Sequence, residues 1–282
     1  MRSSFGLHER PVISIMSQRQ KYSVKVSVVI PAYNEASYIG ACLESLMQQI
    51  EPPDEIIVVD NNCTDKTIAI AKKYPVKIVT EKKQGMIFSR NKGFNEAQFE
   101  IIARTDADTR VPPDWIKRIK NKFEKNKTII AIGGPAHYDS LPSVMQAKEW
   151  PTNVFFKSLE QVLQHDCLFG PNMAIRQSAW EKVKDEVCLK DSMVHEDIDL
   201  SIHLARYGKI FFDKKLVVDS SFRRWTRVKP YIDYPYRALR TIQRHKMSLN
   251  KLTKSKKFVQ NLVKKNPFKK KVTKKKLATQ QQ

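Results

Sequence analysis

Short β-branched runs recur along the first half of the chain, and several end on a polar residue. V-K-V-S-V-V-I-P ends at Pro31, E-I-I-V-V-D ends at Asp60, a third run covers 76–80, and I-I-A-R-T-D ends at Asp106. Each reads as a short buried strand. Between them lie segments with helical spacing. Ile39, Leu43, Leu46, Met47 and Ile50 follow Asn34 as a candidate N-cap, and a second helix opens at Thr64 or Asp65 and runs through Lys73. Further helices are expected over 87–98 and 113–124, with a strand over 128–133. Strands alternating with helices of this length imply β-α-β units and a mostly parallel sheet. In such a sheet ligands bind at the carboxyl ends of the strands, which is where Asp60, Asp106 and the P-A-Y-N-E loop fall.

The second half is less regular. Helices are expected over 143–165 and 196–207, then two short strands, I-F-F-D and K-L-V-V-D. Beyond Pro230 the chain reads as helical and rich in Arg and Lys, and it becomes a lysine-rich tail broken by Pro267. Charge is unevenly spread. The chain carries 51 basic and 29 acidic residues, net +22, and the stretch from Lys251 onward holds twelve lysines and no acidic residue. More than half of the excess therefore lies in the tail, which is expected to be disordered or to hold the protein to an anionic membrane surface. Nucleic acid is the disfavoured partner, because the folded part lacks the matching basic excess.

The 41% hydrophobic content over 282 residues is enough for a sizeable core. Cys42, Cys63, Cys167 and Cys188 are scattered and form no C-x-x-C pair, against both a disulfide framework and a cysteine zinc site; free thiols in a reducing cytosol are expected. The first residues, M-R-S-S-F-G-L-H-E-R-P, contain no apolar signal-peptide core, and no run approaches the ~18–20 apolar residues of a membrane span. The expectation is a cytoplasmic protein, or one peripheral to the cytoplasmic face of a membrane. No phosphate loop of the Gly-x-x-x-x-Gly-Lys type, no Gly-x-Gly-x-x-Gly after the first strand and no Gly-x-Ser-x-Gly elbow occur.

The D-A-D at 106–108 raises a problem of charge. Side chains i and i+2 on a strand point the same way, and two carboxylates facing one place raise each other's pKa. Either the strand end is solvated and turned by Pro112 and Pro113, or something positive compensates the pair.

Six polar motifs stand in order: V-V-I-P-A-Y-N-E (28–35), V-V-D-N-N-C-T-D-K-T (58–67), G-M-I-F-S-R-N-K-G (85–93), D-A-D (106–108), G-P-N-M-A-I-R (170–176) and H-E-D-I-D-L (195–200). Their order and spacing resemble the family-2 glycosyltransferases over roughly 25–213. The resemblance implies the GT-A fold, a Rossmann-like, mostly parallel α/β sheet flanked by helices, here with a basic helical C-terminal extension. It implies a division into a loose segment 1–24, a glycosyltransferase domain 25–228 (nucleotide half about 25–134, acceptor half about 135–228), a basic helix 229–250 and the tail 251–282.

It also implies roles. Pro31, Ala32, Tyr33 and Glu35 would border the nucleoside. Asp60 would accept from the base, which favours a UDP-sugar, since a carboxylate suits an imide N–H. Arg90 and Asn91 would lie near the nucleotide. Asp108 would coordinate Mn²⁺ or Mg²⁺, with Asp106 on the ribose or a metal-bound water; the cation compensates the carboxylates and the leaving diphosphate. Asp197 would act as base toward an acceptor hydroxyl, with Glu196 orienting the acceptor. Gly170 and Asn172 would line the acceptor side, and Arg223, Arg224 and Trp225 would approach the diphosphate. The blander readings are a turn cap for Asp60, packing for Tyr33, a surface ion pair for Arg90, a helix N-terminus for Glu196-Asp197 and a structural role for His195.

Ser221 stands where processive members carry Gln in Gln-x-x-Arg-Trp, which points to transfer of a single sugar. The expected activity is inverting transfer from a nucleoside-diphosphate sugar to a glycan or lipid-linked acceptor in cell-envelope or polysaccharide assembly. The rivals are a nucleotidyltransferase, which usually has a glycine-rich first loop and a signature lysine, and a nucleic-acid- or membrane-binding protein on an inactive glycosyltransferase fold.

Overall fold

The computed structural model describes residues 24–138, 157, 159–190, 194–223 and 229–245. The expectations for 1–23, for most of the helix over 143–165, for Arg224 and Trp225, and for the tail 251–282 lie outside the described residues.

Ten strands are described: β1 (Val26–Ala32), β2 (Glu55–Asp60), β3 (Lys77–Thr80), β4 (Ile101–Arg104), β5 (Thr109–Arg110), β6 (Ile129–Gly133), β7 (Ala136–Tyr138), β8 (Met173–Arg176), β9 (Lys209–Phe212) and β10 (Val218–Ser220). The helices are α1 (Ile39–Met47), α2 (Thr67–Ala71), α3 (Met86–Glu96), α4 (Trp115–Lys125), α5 (Gln177–Val183), α6 (Glu196–Leu204) and α7 (Lys229–Arg244). Seven strands form the main sheet in the order β3-β2-β1-β4-β8-β6-β9, parallel except for β8, which is antiparallel to both neighbours. A smaller sheet has the order β5-β10-β7.

Alternation along the strands divides the core into two layers. Val26, Val28 and Ile30 of β1 face Leu43 and Leu46 of α1 and Trp115, Ile119 and Phe123 of α4. Val29 faces the other way, with Val59, Phe94, Trp180, Leu200 and Leu204. Both faces are covered, so the strands read as continuous apolar runs. Each such side chain taken from water contributes roughly 1.5–3 kcal/mol. Phe94 and Trp180 meet edge to face with ring centroids 5.2 Å apart. Helix α3 lies close on β1 at Gly93, where a Cβ would fall 2.2 Å from Val29 Cγ1.

Some local expectations change. Asn34 does not cap α1. Its backbone is left-handed, φ 54°, and its Oδ1 accepts the Thr64 N–H at 2.8 Å, joining the loops after β1 and β2. Strand β4 stops at Arg104, so Asp106 and Asp108 stand in the following turn, closed by Thr109 N–H to Asp106 O at 3.0 Å. Strand alternation therefore does not govern where the two aspartates point. Strand β8 was not expected: M-A-I-R carries neither a β-branched run nor clear alternation, and its strand character comes from β4 and β6 on either side.

Candidate active site

The sheet order reverses direction at β1. The chain leaves β1 toward β2 and β3 on one side and returns to β4 on the other, and the carboxyl ends of β1 and β4 define a crevice of the kind where open α/β sheets bind ligands. Pro31 and Ala32 are the buried end of β1, and Ala32 pairs in register with Asp60 at the end of β2. Asp60 Oδ1 accepts the Cys63 N–H at 2.9 Å, the turn-cap arrangement. Asn61 holds the next loop: its Nδ2 donates to Glu81 O and Lys83 O at 2.9 and 2.7 Å, and its Oδ1 accepts from Gly85 N at 2.9 Å. The P-A-Y-N-E loop is fixed from below by Glu35 N–H to Thr67 Oγ1 at 2.7 Å and Ala36 N–H to Asp65 Oδ2 at 3.0 Å. Tyr33 is left 51% exposed at the mouth, where a flat ligand could lie against it.

The carboxylates of Glu35 and Asp108 are bridged by one guanidinium. Arg223 Nε donates to Asp108 Oδ2 at 3.0 Å, and its Nη2 pairs with Glu35. Nearby, burial raises the Cys42 thiol above its ordinary pKa, and the charges of Asp108, Asp106 and Glu35 raise it further. Three carboxylates thus put negative potential on one buried sulfur. Glu35 and Asp108, both held by the Arg223 guanidinium, are hard oxygen donors of the kind a divalent cation takes, whereas Asp106 pairs with Arg104.

A second guanidinium, Arg104, sits behind the D-A-D. It is 1% exposed. Its Nη2 donates to Asp106 Oδ1 at 3.1 Å, and its Nη1 donates to Glu196 Oε1 at 2.8 Å and to Asp197 Oδ1 at 3.4 Å. Arg104 Nε and Thr105 Oγ1 are buried without a hydrogen-bond partner among the described residues. Glu196 also takes Arg90 Nη1 at 3.1 Å on its other oxygen, while Arg90 Nε and Nη2 donate to Asn91 Oδ1 at 3.0 and 2.8 Å. Arg90 and Asn91 are thus brought to Glu196, and the Arg90 guanidinium is buried there rather than exposed as a surface cation.

The two carboxylates that open α6 differ in charge state. Burial pushes Asp197 up to about 7, and the neighbouring Glu196 charge adds to the shift. Burial also opposes the charge on Glu196, but Arg104 and Arg90 outweigh it and hold that carboxyl below its usual value. Such splitting of a pair sets a poised group beside a fixed anion. Asp197 Oδ2 accepts the Gly170 N–H at 2.9 Å, which aims it along the G-P-N-M-A loop. A side chain at Gly170 would collide, its Cβ 2.8 Å from Arg104 Nη2. His195 is half-buried and pushed down to about 4 by desolvation, so it is neutral; its backbone N–H donates to Thr241 Oγ1 of α7 at 2.8 Å.

Asn172, expected to face a sugar, is fully buried. Its Oδ1 accepts Trp115 Nε1 at 2.9 Å, and its Nδ2 donates to Pro135 O and Leu216 O at 3.0 and 2.5 Å. Its carboxamide ties α4 to two loops. Arg104 was not singled out from the sequence, although a signal existed: an arginine inside an apolar strand run is a buried charge, which requires partners.

The fold and crevice are those of a GT-A glycosyltransferase. The family model for glycosyl transferase family 2 matches residues 27–183, more than half of the chain, and the protein belongs to that family. Among curated proteins it is similar to the cholesterol galactosyltransferase of Borreliella burgdorferi, 25% identical over 190 residues, covering 63% of this chain and 52% of the relative. The matches to this and seven other curated relatives span between 16% and 55% of the relatives' length. Among solved structures, it superposes on S. aureus TarS 1-349 in complex with UDP-GlcNAc with TM-score 0.55 at 18% identity, covering 70% of this chain and 58% of that one. It superposes on the mannosyltransferase PcManGT from Pyrobaculum calidifontis, in complex with GDP-Man and Mn²⁺, with TM-score 0.55 at 22% identity, covering 71% and 57%. Among the described residues no helix is long and apolar enough to cross a membrane.

Proposed function

We propose that the chain transfers a single sugar, with inversion, from a nucleoside-diphosphate sugar to a glycan or lipid-linked acceptor in cell-envelope or polysaccharide assembly. The observation that carries this reading is Arg104, one buried guanidinium that holds Asp106 on the donor side and Glu196 and Asp197 on the acceptor side. In this reading Arg104 would hold the donor and base positions relative to each other.

The nucleoside would lie between Tyr33, Asp60 and the loop after β1, with Asp60 accepting from the base. Asp108 and Asp106 would hold a divalent cation, Mn²⁺ or Mg²⁺, which when bound supplies positive charge against the diphosphate. Arg223 would move from Asp108 onto phosphate oxygens, an exchange of one anionic partner for another. Asp197, poised near neutrality, takes the proton of the acceptor hydroxyl as that oxygen forms its bond to the anomeric carbon and the bond to the diphosphate oxygen breaks. A single displacement of this kind inverts the anomeric configuration. Glu196, kept anionic by Arg104 and Arg90, orients the acceptor.

Nucleotide sugars bound to two structural neighbours support a nucleotide-sugar donor, and a relative named for transfer of galactose to cholesterol supports a lipid acceptor. The lysine-rich segment 251–282 would bring the enzyme to an anionic membrane carrying such an acceptor. The test is a thermal-shift titration of the full chain with UDP, GDP, dTDP and CMP, each with and without Mn²⁺. A nucleotide that binds only the folded state raises the melting temperature by mass action. Stabilisation by one diphosphate that requires Mn²⁺ and disappears in Asp108→Ala supports the reading and names the base. A folded protein that responds to none of the four overturns it.

A further inference from the structure

On the face of α6 opposite Asp197, three side chains converge that the transfer reaction does not use. Asp199 and His203 lie one helical turn apart, so they share a face. His245, just past the end of α7, reaches the same place. His245 Nε2 lies 2.9 Å from Asp199 Oδ1, and His203 Nε2 lies 3.9 Å from that oxygen. One ligand atom from each of the three fits within a 4.8 Å span. We propose that Asp199, His203 and His245 form a binding site for a divalent transition metal, with Zn²⁺ as the ion of best fit, which clasps α7 onto α6.

The geometry supports this in three ways. A tetrahedral ion with bonds of about 2.0–2.2 Å needs ligand atoms roughly 3.4 Å apart, and the two distances to Asp199 Oδ1 bracket that value. Two imidazoles and one carboxylate are a donor set suited to Zn²⁺ and unlike the carboxylates proposed for the donor-side cation. The outer contacts are also those of a metal site. Glu186 Oε2 lies 3.3 Å from His203 Nδ1, so with the proton on Nδ1 the imidazole donates to that carboxylate and turns the Nε2 lone pair inward. The Cys188 N–H donates to Asp199 Oδ2 at 2.8 Å, leaving Oδ1 for the centre.

Arg206 Nη2 also lies 2.7 Å from His203 Nδ1 and pairs with Glu186. Metal loading selects the tautomer in which Arg206 keeps Glu186 and releases the ring nitrogen. The His203 and His245 rings meet edge to face, centroids 4.9 Å apart. Beside them a cleft of about 420 Å³, lined by His165, Ile202, Ala205, Arg206 and His245, gives solvent access and room for a fourth ligand. Without a metal, the same residues would be a hydrogen-bonded His–Asp–His cluster, and the experiment separates the two.

Full-length protein is stripped with chelator, loaded with Zn²⁺ or Co²⁺, and passed through gel filtration. Elemental analysis, the visible spectrum of the Co²⁺ form and the melting temperature are then read. The expected result is one Zn²⁺ retained per chain, a Zn²⁺-dependent rise in melting temperature, and Co²⁺ bands of a four- or five-coordinate site. All three should survive in Asp108→Asn, which disables the donor-side cation position, and disappear in His245→Gln. Gln keeps a donor toward Asp199, so that variant is expected to melt with the chelated wild type. Glu186→Gln should weaken Zn²⁺ by roughly 10–100-fold. Equal retention in His245→Gln and wild type, loss of retention in Asp108→Asn, or no retained metal in folded wild type overturns the proposal in favour of the hydrogen-bonded cluster.

Discussion

Arg104 Nη1 and Glu196 Oε1 lie 2.8 Å apart although 92 residues separate them in the chain. The contact joins β4 to the first residue of α6, and Asp106 and Asp197 share the same guanidinium. Removing the arginine would take from buried Asp106 and Asp197 and half-buried Glu196 their common counter-charge, leaving Glu196 with Arg90. Arg104→Met is expected to destabilise the fold by about 3–5 kcal/mol, the range for breaking a buried ion pair from one side, as measured by urea unfolding. Arg104→Lys keeps the charge but loses the fork, so an intermediate loss is expected.

With Asp197 as the proposed base, the pH dependence of transfer is expected to follow its carboxyl. Its carboxyl is raised from 3.8 to about 7, so below that pH it is protonated and accepts no proton. The acid limb of kcat/KM should fall about tenfold per pH unit below the midpoint. Asp197→Asn should lose the limb together with most of the activity. Stability has the opposite sign. A carboxyl raised in the folded state contributes most below its ordinary value, and that contribution is lost as pH rises through about 7. Urea midpoints of wild type should therefore decline over that window relative to Asp197→Asn.

Gly170→Ala tests the alignment of the base. The added Cβ would lie 2.8 Å from Arg104 Nη2 and 3.1 Å from Asp197 Oδ2. Both groups must shift, and a displacement near 1 Å can cost on the order of 100-fold in rate. The expected signature in steady-state kinetics is a fall in kcat with the donor KM nearly unchanged, because the proposed nucleoside contacts are at the ends of β1 and β2, away from Gly170.

Asn172→Ala separates a role in the fold from a role toward the sugar. The substitution leaves Trp115 Nε1 and the Leu216 carbonyl without this partner, while Pro135 O keeps the Val218 N–H at 3.3 Å, at roughly 1–3 kcal/mol for each unsatisfied buried group. A drop in melting temperature with acceptor KM little changed in the surviving folded fraction is expected. A stable variant with a raised acceptor KM would return Asn172 to the acceptor pocket.

Arg223→Ala addresses the bridge across the crevice. The side chain is 32% exposed and stacks over Tyr38 at 4.5 Å while pairing with Glu35 and Asp108. A loss of stability in urea unfolding is expected, because the Glu35 and Asp108 side chains are only 12% and 4% exposed and a buried carboxylate stripped of its cation is costly. Isothermal titration with nucleoside diphosphate should show weaker binding if Arg223 transfers to phosphate, and tighter binding if it only competes for Asp108.

The sequence by itself determined the β-α-β alternation and the place of Asp60 at a strand end. Both are local: apolar periodicity selects strand or helix, and the carboxyl ends of parallel strands gather at one edge. Glu55–Asp60 appears as expected, and the six ordered motifs led to the family. Tertiary structure decided how the charges were shared. The D-A-D pair was expected to face one place along a strand. Because β4 ends at Arg104, Asp106 turns to Arg104 and Asp108 to Arg223. Strand β8 exists because β4 and β6 flank it, and Asn172 serves the fold because Trp115, Pro135 and Leu216 close around it. A buried charge or amide announces in the sequence only that it needs partners; which partners it has depends on contacts between residues tens to more than a hundred positions apart, which no local pattern encodes.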